Sequence, residues 1–190
     1  MMTNPQEQRG HLVVVAGPSG VGKSTVVRKM VELDPEIHLS VSATTRSKRE
    51  GEVNGLDYFF MTAGDFASLR AEGGFLESAE FAGNWYGTPR KEVNQRLDKG
   101  QTVLLEIELQ GVRQVKTAMP EALTVFIAPP SWEVLEARLT GRGTEDSATI
   151  ARRLEVAETE LAAQSEFDEV VVNDEVVDAA SAIISLVCDT

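Results

Sequence analysis

The 190-residue sequence is poor in cysteine and in basic residues, and each scarcity excludes a class of protein. Cys188 is the single cysteine, so no disulfide can form within the chain, which argues against a disulfide-stabilised secreted domain. The 18 Lys and Arg residues against 30 Asp and Glu give a net charge of −12. Sequence-independent binding to nucleic acid needs a basic surface, so nucleic acid is not an expected partner.

Long apolar runs are missing as well. No run approaches membrane-spanning length, and residues 1–10 are polar and lack the apolar core of a signal peptide. We therefore expect a cytoplasmic protein with no membrane association. No obligate protein partner is evident from the sequence. Residues 1–9 are expected to be a flexible N-terminus.

One glycine-rich stretch carries the clearest chemical signal. Residues 17–25 fit the phosphate-binding pattern G-x-x-x-x-G-K-[ST], between an apolar strand (residues 12–16) and a helix (residues 25–33). Glycines let the backbone turn its N–H groups onto a phosphate. Lys23 supplies a positive charge, and the Ser24 hydroxyl can bind Mg²⁺. The candidate nucleotide ligands are Gly17, Pro18, Ser19, Gly20, Val21, Gly22, Lys23, Ser24 and Thr25.

The remaining pattern predicts an α/β protein. Strands are expected at residues 39–43, 58–61, 75–81, 102–107, 123–128 and 169–173, and helices at 63–71, 110–118, from Ser131, around 150–161 and at 176–187. Asp34-Pro35 should end the first helix. Strands alternating with helices favour a doubly wound, mostly parallel sheet. The Thr-, Gly- and aromatic-rich segment 40–97 reads as a mixed-sheet insertion.

Charged side chains gather where phosphates would lie. Glu106 and Glu108 are predicted to share one face at the end of a strand, where carboxylates can hold Mg²⁺ through water. The few cations of this acidic chain form two groups. These groups are Arg46, Lys48 and Arg49, and Arg138, Arg142, Arg152 and Arg153.

Six strings in order resemble the guanylate kinase family over nearly the whole chain. They are residues 17–25, 40–46 (SVSATTR), 51–58 (GEVNGLDY), 83–87 (GNWYG), 127–131 (IAPPS) and 141–144 (GRGT). The resemblance implies transfer of the γ-phosphate of ATP to GMP, and to dGMP as a second expected acceptor, with Mg²⁺ as cofactor. It implies one domain at 10–185, with a P-loop core (10–39, 98–137 and 164–190), a GMP-binding insertion (40–97) and a helical lid (138–163).

The resemblance also implies residue roles. Guanine is read by Ser42 and Glu77, with Thr88 nearby; a carboxylate can accept from both guanine donors, which adenine lacks. The GMP phosphate is held by Arg46, Arg49, Tyr58 and Tyr86. Asn173 contacts the adenine of ATP. The transferring phosphate is stabilised by Lys23, Arg46, Arg138, Arg142 and Arg153. Glu106 and Glu108 stand where the family commonly has Asp, and they are assigned to GMP or to Mg²⁺.

Two other hypotheses remain open from the residues alone. The same fold can serve as an interaction module that binds protein ligands, but such modules are expected to lose P-loop glycines, the P-loop lysine or lid arginines, all of which this chain keeps. A P-loop kinase for another nucleotide is the third hypothesis, and Ser42 with Glu77 argues for guanine. Measurement of ADP release with a panel of nucleoside monophosphates separates the three.

Overall fold

The computed structural model describes residues 9–141 and 147–188, which form nine strands and seven α-helices. The strands are β1 (Leu12–Ala16), β2 (His38–Leu39), β3 (Ala43–Thr44), β4 (Phe59–Phe60), β5 (Phe75–Phe81), β6 (Asn84–Pro89), β7 (Val103–Glu106), β8 (Leu123–Ala128) and β9 (Glu169–Val172). The helices are α1 (Lys23–Leu33), α2 (Ala63–Ala71), α3 (Arg90–Leu97), α4 (Leu109–Ala118), α5 (Trp132–Thr140), α6 (Ser147–Ala162) and α7 (Val176–Cys188).

The first strand and helix follow directly from local sequence. All five residues of β1 are apolar and buried, as a central parallel strand requires. Helix α1 buries Val26, Val27 and Met30, which share one face at helical spacing. It ends before Asp34, whose extended conformation (φ −132°, ψ 95°) is the one that a following proline favours. The predicted stop at this position is confirmed.

The strands form one five-stranded sheet and one four-stranded sheet. The first has the order β2-β7-β1-β8-β9, and its β2–β7, β1–β8 and β8–β9 pairs are parallel. The second has the order β4-β3-β6-β5, with a parallel β3–β4 pair and antiparallel β3–β6 and β5–β6 pairs. The predicted α/β class, with a mostly parallel sheet and a mixed second sheet, is confirmed.

An aromatic cluster holds the second sheet against α2. Phe66 of α2 stacks on Phe75 of β5 with ring centroids 4.3 Å apart, and Ala43 completes the buried centre. Trp85 packs against this cluster. The guanidinium of Arg70 lies over the Trp85 ring, 4.1 Å from the ring centroid, in a cation–π contact. This small hydrophobic core packs helix α2 against one face of the mixed sheet.

Two parts of the sequence-based assignment were wrong or incomplete. Residues 39–43 do not form one strand. Strand β2 ends at Leu39, and its last bond to β7 runs from Ser40 N to Leu104 O. The chain then joins the other sheet at Ala43, where β3 begins. Strand β6 and helix α3 were not predicted. Gly87 and Pro89 weaken the strand pattern of β6, and α3 is polar except for Val93 and Leu97, which it buries.

By contacts within the chain, the described residues divide into two compact units. Unit 1 comprises the residues up to Leu12 together with His38–Leu104 and Gln110–Ala122. Unit 2 comprises Val13–Ile37, Leu105–Leu109 and the residues from Leu123 onward. Among the helices in the described ranges, none is long and apolar enough to cross a membrane.

Candidate functional site

The P-loop of unit 2 depends on backbone conformations that only glycine adopts at low cost. Gly22 begins α1 from a left-handed conformation (φ 96°), and a Cβ on it would lie 2.8 Å from Asn173 Nδ2. Gly17 leaves β1 at φ 155°, and a Cβ there would lie 2.3 Å from the carbonyl oxygen of Ile127. The loop is therefore wrapped tightly over the end of the sheet, beside the N-terminus of α1, where an anion is favoured.

Two side chains hold the carbonyl oxygen of Val21, in the middle of this loop. Asn173 Nδ2 donates to it at 2.8 Å, and Arg138 donates to it through its guanidinium at 3.2 Å. Asn173 is 3% exposed, and its Oδ1 is a buried acceptor that has no hydrogen-bond partner among the described residues. A buried acceptor without a partner is costly, so this atom is available to a donor on a ligand.

Lys23 and Ser24, at the start of α1, both contact carboxylates at or just beyond the end of strand β7. Ser24 Oγ donates to Glu106 Oε1 at 2.6 Å. Lys23 Nζ donates to Gly17 O at 2.6 Å and lies 3.5 Å from Glu108 Oε1. Glu106 ends β7 and Glu108 lies beyond it, so the prediction that both end one strand was wrong. Both carboxylates contact P-loop residues, and their assignment to GMP or to Mg²⁺ stays a prediction.

Helix α6 contributes two contacts to Ser19 of the P-loop. Arg153 donates to Ser19 Oγ at 3.1 Å, and Glu160 Oε2 accepts from Ser19 N at 3.2 Å. These two side chains are seven residues apart and therefore lie on one face of the helix. Burial raises the pKa of Glu160 and the charge of Glu108 adds to this, whereas the bond from Ser19 N lowers it. Arg142, predicted for this site, lies outside the described residues.

In unit 1, a carboxylate orients the predicted phosphate-binding arginine. Arg46 forms a bidentate ion pair with Glu52, at 2.7 Å to Oε1 and 3.0 Å to Oε2. Glu52 Oε2 also accepts from Arg49 N at 2.7 Å. The Arg46 guanidinium and this N–H lower the pKa of Glu52 to about 2, and Glu52 in turn raises the pKa of Arg46. The pair fixes the fork of Arg46, and the side chain of Arg49 is exposed.

Both tyrosines of the chain lie around the same guanidinium. The rings of Tyr58 and Tyr86 meet edge to face, with centroids 6.0 Å apart. Arg46 Cζ lies 5.3 Å from the Tyr58 ring centroid, and Tyr86 contributes, after Glu52, to the raised pKa of Arg46. Three of the residues predicted to bind the GMP phosphate, Arg46, Tyr58 and Tyr86, thus lie together. They offer two phenol hydroxyls and one guanidinium as hydrogen-bond donors.

The predicted guanine-reading carboxylate is buried in the same unit. Glu77 is 8% exposed, and its Oε1 accepts from Thr88 Oγ1 at 2.7 Å. Burial raises the pKa of the Glu77 carboxyl, while the hydrogen bonds from Thr88 oppose that rise. Ser42 lies half-buried between β2 and β3, and its carbonyl accepts from Phe59 N at 2.9 Å. A buried carboxylate with a hydroxyl beside it can accept from a ligand that presents paired N–H donors.

Sequence reasoning missed Glu52 and Glu160. Glu52 lies within the string 51–58, but an acid six residues from Arg46 carries no motif by itself. Glu160 is one of several acids on α6, and only its place on the face of Arg153 distinguishes it. Within residues 9–141 and 147–188, no group of three or more His, Cys, Asp or Glu side chains could hold a metal ion.

Comparison with known proteins places these features in one family. The guanylate kinase family model matches residues 9–189. Guanylate kinase of Streptomyces coelicolor is 56% identical over 182 residues, which cover 96% of this chain and 92% of the relative. That of Thermobifida fusca is 54% identical over 95% of this chain and 92% of its own. The crystal structure of guanylate kinase from Anaplasma phagocytophilum aligns with a TM-score of 0.74 and 34% identity, covering 96% of this chain and 86% of that one. The chain therefore belongs to the guanylate kinase family.

Proposed function

We propose that this protein phosphorylates GMP with the P-loop of unit 2 as its ATP site and the cluster around Glu77 and Arg46 in unit 1 as its GMP site. Family membership makes the reaction the ATP-dependent conversion of GMP to GDP. The observation that carries the choice of acceptor is the buried carboxylate of Glu77 beside Thr88. GMP presents a ring N–H and an amino group side by side, and AMP presents no such pair.

On the ATP side, the loop residues Gly17 to Thr25 are proposed to surround the phosphates with backbone N–H groups. Lys23 places its ammonium on the outer phosphates. Arg138 and Arg153, already in contact with the loop, are proposed to neutralise charge on the transferring phosphate, together with Arg142. The unpaired Oδ1 of Asn173 suits the adenine amino group, which is a donor.

The residues at the start of α1 fit Mg²⁺. Ser24 Oγ and Glu106 Oε1 lie 2.6 Å apart, so a hydroxyl and a carboxylate, both hard oxygen ligands, converge on one position. The nucleotide phosphates complete the ligand set of such an ion, so a cluster of three acids is not required. When bound, the ion neutralises charge on the phosphates. Glu108, which pairs with Lys23, is proposed to contact the Mg²⁺ ion through a water molecule.

On the GMP side, Arg46, Arg49, Tyr58 and Tyr86 are proposed to bind the phosphate, and Ser42, Glu77 and Thr88 to bind guanine. Glu52, which accepts from both terminal nitrogens of Arg46, is proposed to orient this guanidinium for the phosphate. Contacts of Glu106 and Glu108 with GMP remain a prediction, since their described contacts are with Ser24 and Lys23. The insertion at 40–97, the lid at 138–163 and use of dGMP also remain predictions. A cytoplasmic location is proposed because ATP and GMP are cytoplasmic metabolites.

The reaction needs no covalent intermediate. An oxygen of the GMP phosphate attacks the γ-phosphorus of ATP, a new P–O bond forms, and the bond to the β,γ-bridging oxygen breaks, so ADP leaves. Electrostatic stabilisation dominates such a transfer, and Lys23 and the arginines supply it. Excluding water prevents transfer of the γ-phosphate to water instead.

The test is ADP release with ATP and Mg²⁺ over a panel of nucleoside monophosphates, using the wild type and Lys23→Ala. GMP is expected to be the preferred acceptor, and Lys23→Ala is expected to lose turnover while keeping its melting temperature. Lys29→Ala, on the same helix but away from the loop, is the control and should retain activity. A folded Lys23→Ala variant with near wild-type activity, or equal use of AMP and GMP, would overturn the assignment.

A further inference from the structure

Strand β5 is irregular at the residue that the proposed function assigns to guanine. In the β5–β6 pair, Phe75 is opposite Pro89 and Ser78 is opposite Gly87, so three steps along β5 match two along β6. The extra residue lies in the stretch Leu76-Glu77. Phe75, Leu76 and Glu77 are all buried, whereas a regular strand would turn every second side chain to the opposite face. A bulge of this kind re-aims a side chain, here the carboxylate of Glu77.

Directly after the bulge, a helix side chain takes the place of a neighbouring strand. β5 is an edge strand of its sheet, so Ser78 has backbone groups with no strand to pair with. The side-chain amide of Gln114, on α4, binds both. Ser78 N donates to Gln114 Oε1 at 3.1 Å, and Gln114 Nε2 donates to Ser78 O at 3.2 Å. Gln114 Nε2 also lies 3.4 Å from Gln110 O, one turn earlier in the helix.

We propose that Gln114 is a positioning residue for guanine recognition: its amide pins the backbone of Ser78 and thereby keeps the Glu77 carboxylate turned toward Thr88 and the base. This inference rests on the proposed function, which assigns guanine to Glu77. Gln114 acts through Glu77 and does not itself touch the nucleotide.

The physical reason for such a pin is the cost of burying a charge. Burial disfavours the ionised carboxylate of Glu77, so a conformation that exposes this side chain to water would lower its free energy. An edge strand can move more easily than a central one, because among the described strands β5 pairs with β6 alone. The two hydrogen bonds between Gln114 and the backbone of Ser78 oppose such a movement of β5, since Ser78 cannot shift without breaking both. An amide suits the task because it offers a donor and an acceptor side by side.

The test uses Gln114→Met, which keeps the length of the side chain and removes both hydrogen bonds. KM for GMP is expected to rise roughly tenfold, the size expected from two neutral hydrogen bonds, while KM for ATP and kcat change little. The preference for GMP over IMP, which lacks the 2-amino group, should fall in parallel. Gln110→Met is the matched control: it makes the same change on an exposed side chain one turn away, and both quantities should stay at wild-type values.

Glu77→Gln and the double variant complete a thermodynamic cycle. If Gln114 acts through Glu77, adding Gln114→Met to Glu77→Gln should leave the GMP-to-IMP preference where Glu77→Gln alone puts it. Effects that simply multiply in the double variant would overturn the proposal, as would a Gln114→Met variant with unchanged preference. If Glu77→Gln itself leaves the preference intact, the proposed function of Glu77 is what fails. Should Gln114→Met not fold, Gln114→Glu keeps the acceptor for Ser78 N and loses the donor to Ser78 O, and a smaller shift in the same direction is expected.

Discussion

The burial of Glu77 has opposite effects on the stability of the fold and on the proposed recognition of guanine. Its pKa is raised in the folded protein because burial disfavours the ionised form, so the folded state binds its proton more tightly than the unfolded chain does. Its contribution to stability is therefore fully present only below the ordinary pKa of glutamate, and is lost as the pH rises through the folded-state pKa. Above its folded-state pKa, the ionised Glu77 carboxylate destabilises the fold.

The variant Glu77→Gln is accordingly expected to melt at a higher temperature than the wild type at pH 7. This advantage should vanish when the pH is lowered below about 4.3, the ordinary pKa of glutamate. The same change should lower kcat/KM for GMP by roughly 30- to 150-fold, the equivalent of about 2–3 kcal/mol for hydrogen bonds to a charged group. Melting curves over pH and steady-state kinetics measure the two effects. A variant that is less stable at pH 7 would contradict the assigned burial cost.

Glu52 has the opposite dependence on pH. Its pKa is lowered to about 2 by Arg46 and by the backbone N–H of Arg49, so its contribution to stability is present above the ordinary pKa of glutamate. That contribution is lost as the pH falls from about 4.3 toward 2.

We expect Glu52→Gln to melt below the wild type at pH 7, with the difference shrinking over this acidic range. KM for GMP should rise because the fork of Arg46 loses its partner. Glu50→Gln, on an exposed neighbour, is the control for the loss of one negative charge. A melting difference that is independent of pH would show that the ion pair contributes nothing.

At this scale, the sequence revealed the residues that carry motifs and not the residues that support them. Glycine spacing with a lysine identified Gly17 to Thr25 because a phosphate cradle admits few alternatives. Gln114 and Glu160 act through contacts with residues 36 and 141 positions away. No local pattern encodes such a pairing, so it becomes visible only in three dimensions.

Among the elements, those with an uninterrupted pattern were predicted and the irregular ones were not. Strands β1, β5 and β8 and helix α2 have the predicted bounds, and Ser131 caps α5 through the bond that Val134 N donates to it. The two-residue strands β2 and β3 are too short to carry a period of their own. β6 owes its place to the β5–β6 hairpin pairing and not to its composition.

The turn of that hairpin offers a test of element stability. Ala82 has φ 49° and Gly83 has φ 75°, so both central residues of the turn are left-handed, although Ala82 carries a Cβ. Asparagine tolerates this conformation, and Asn-Gly is the preferred pair for such a turn. Ala82→Asn is therefore expected to raise the free energy of unfolding by about 0.5–1 kcal/mol. Ala82→Val, which is β-branched, should lower it. Denaturant unfolding measures both, and an equal loss in the two variants would contradict the turn assignment.

For the molecule as a whole, the two nucleotides are expected to protect different parts of the chain. Hydrogen exchange should slow with GMP alone in unit 1, around Ser42–Thr45 and β5–β6. It should slow with a non-hydrolysable ATP analogue and Mg²⁺ in unit 2, around the P-loop and α6. The expectation follows from the separate clusters in the two units, because a ligand that binds the folded form lowers local opening. Protection of the P-loop by GMP alone, with none in β5–β6, would contradict the assignment of the sites.

The way in which the chain alternates between its units has a consequence for synthesis. Each unit is assembled from three separate stretches, and the boundary between them is crossed five times along the sequence. In unit 2, β8 pairs with β1 on one side and with β9 on the other, and α1 packs against α7. A ribosome releases β1 and α1 long before β9 and α7. Strand β1, which precedes the P-loop, therefore lacks its partner β8 until residues 123–128 have been translated, and nascent chains halted before β8 are expected to be recognised by chaperones and proteases.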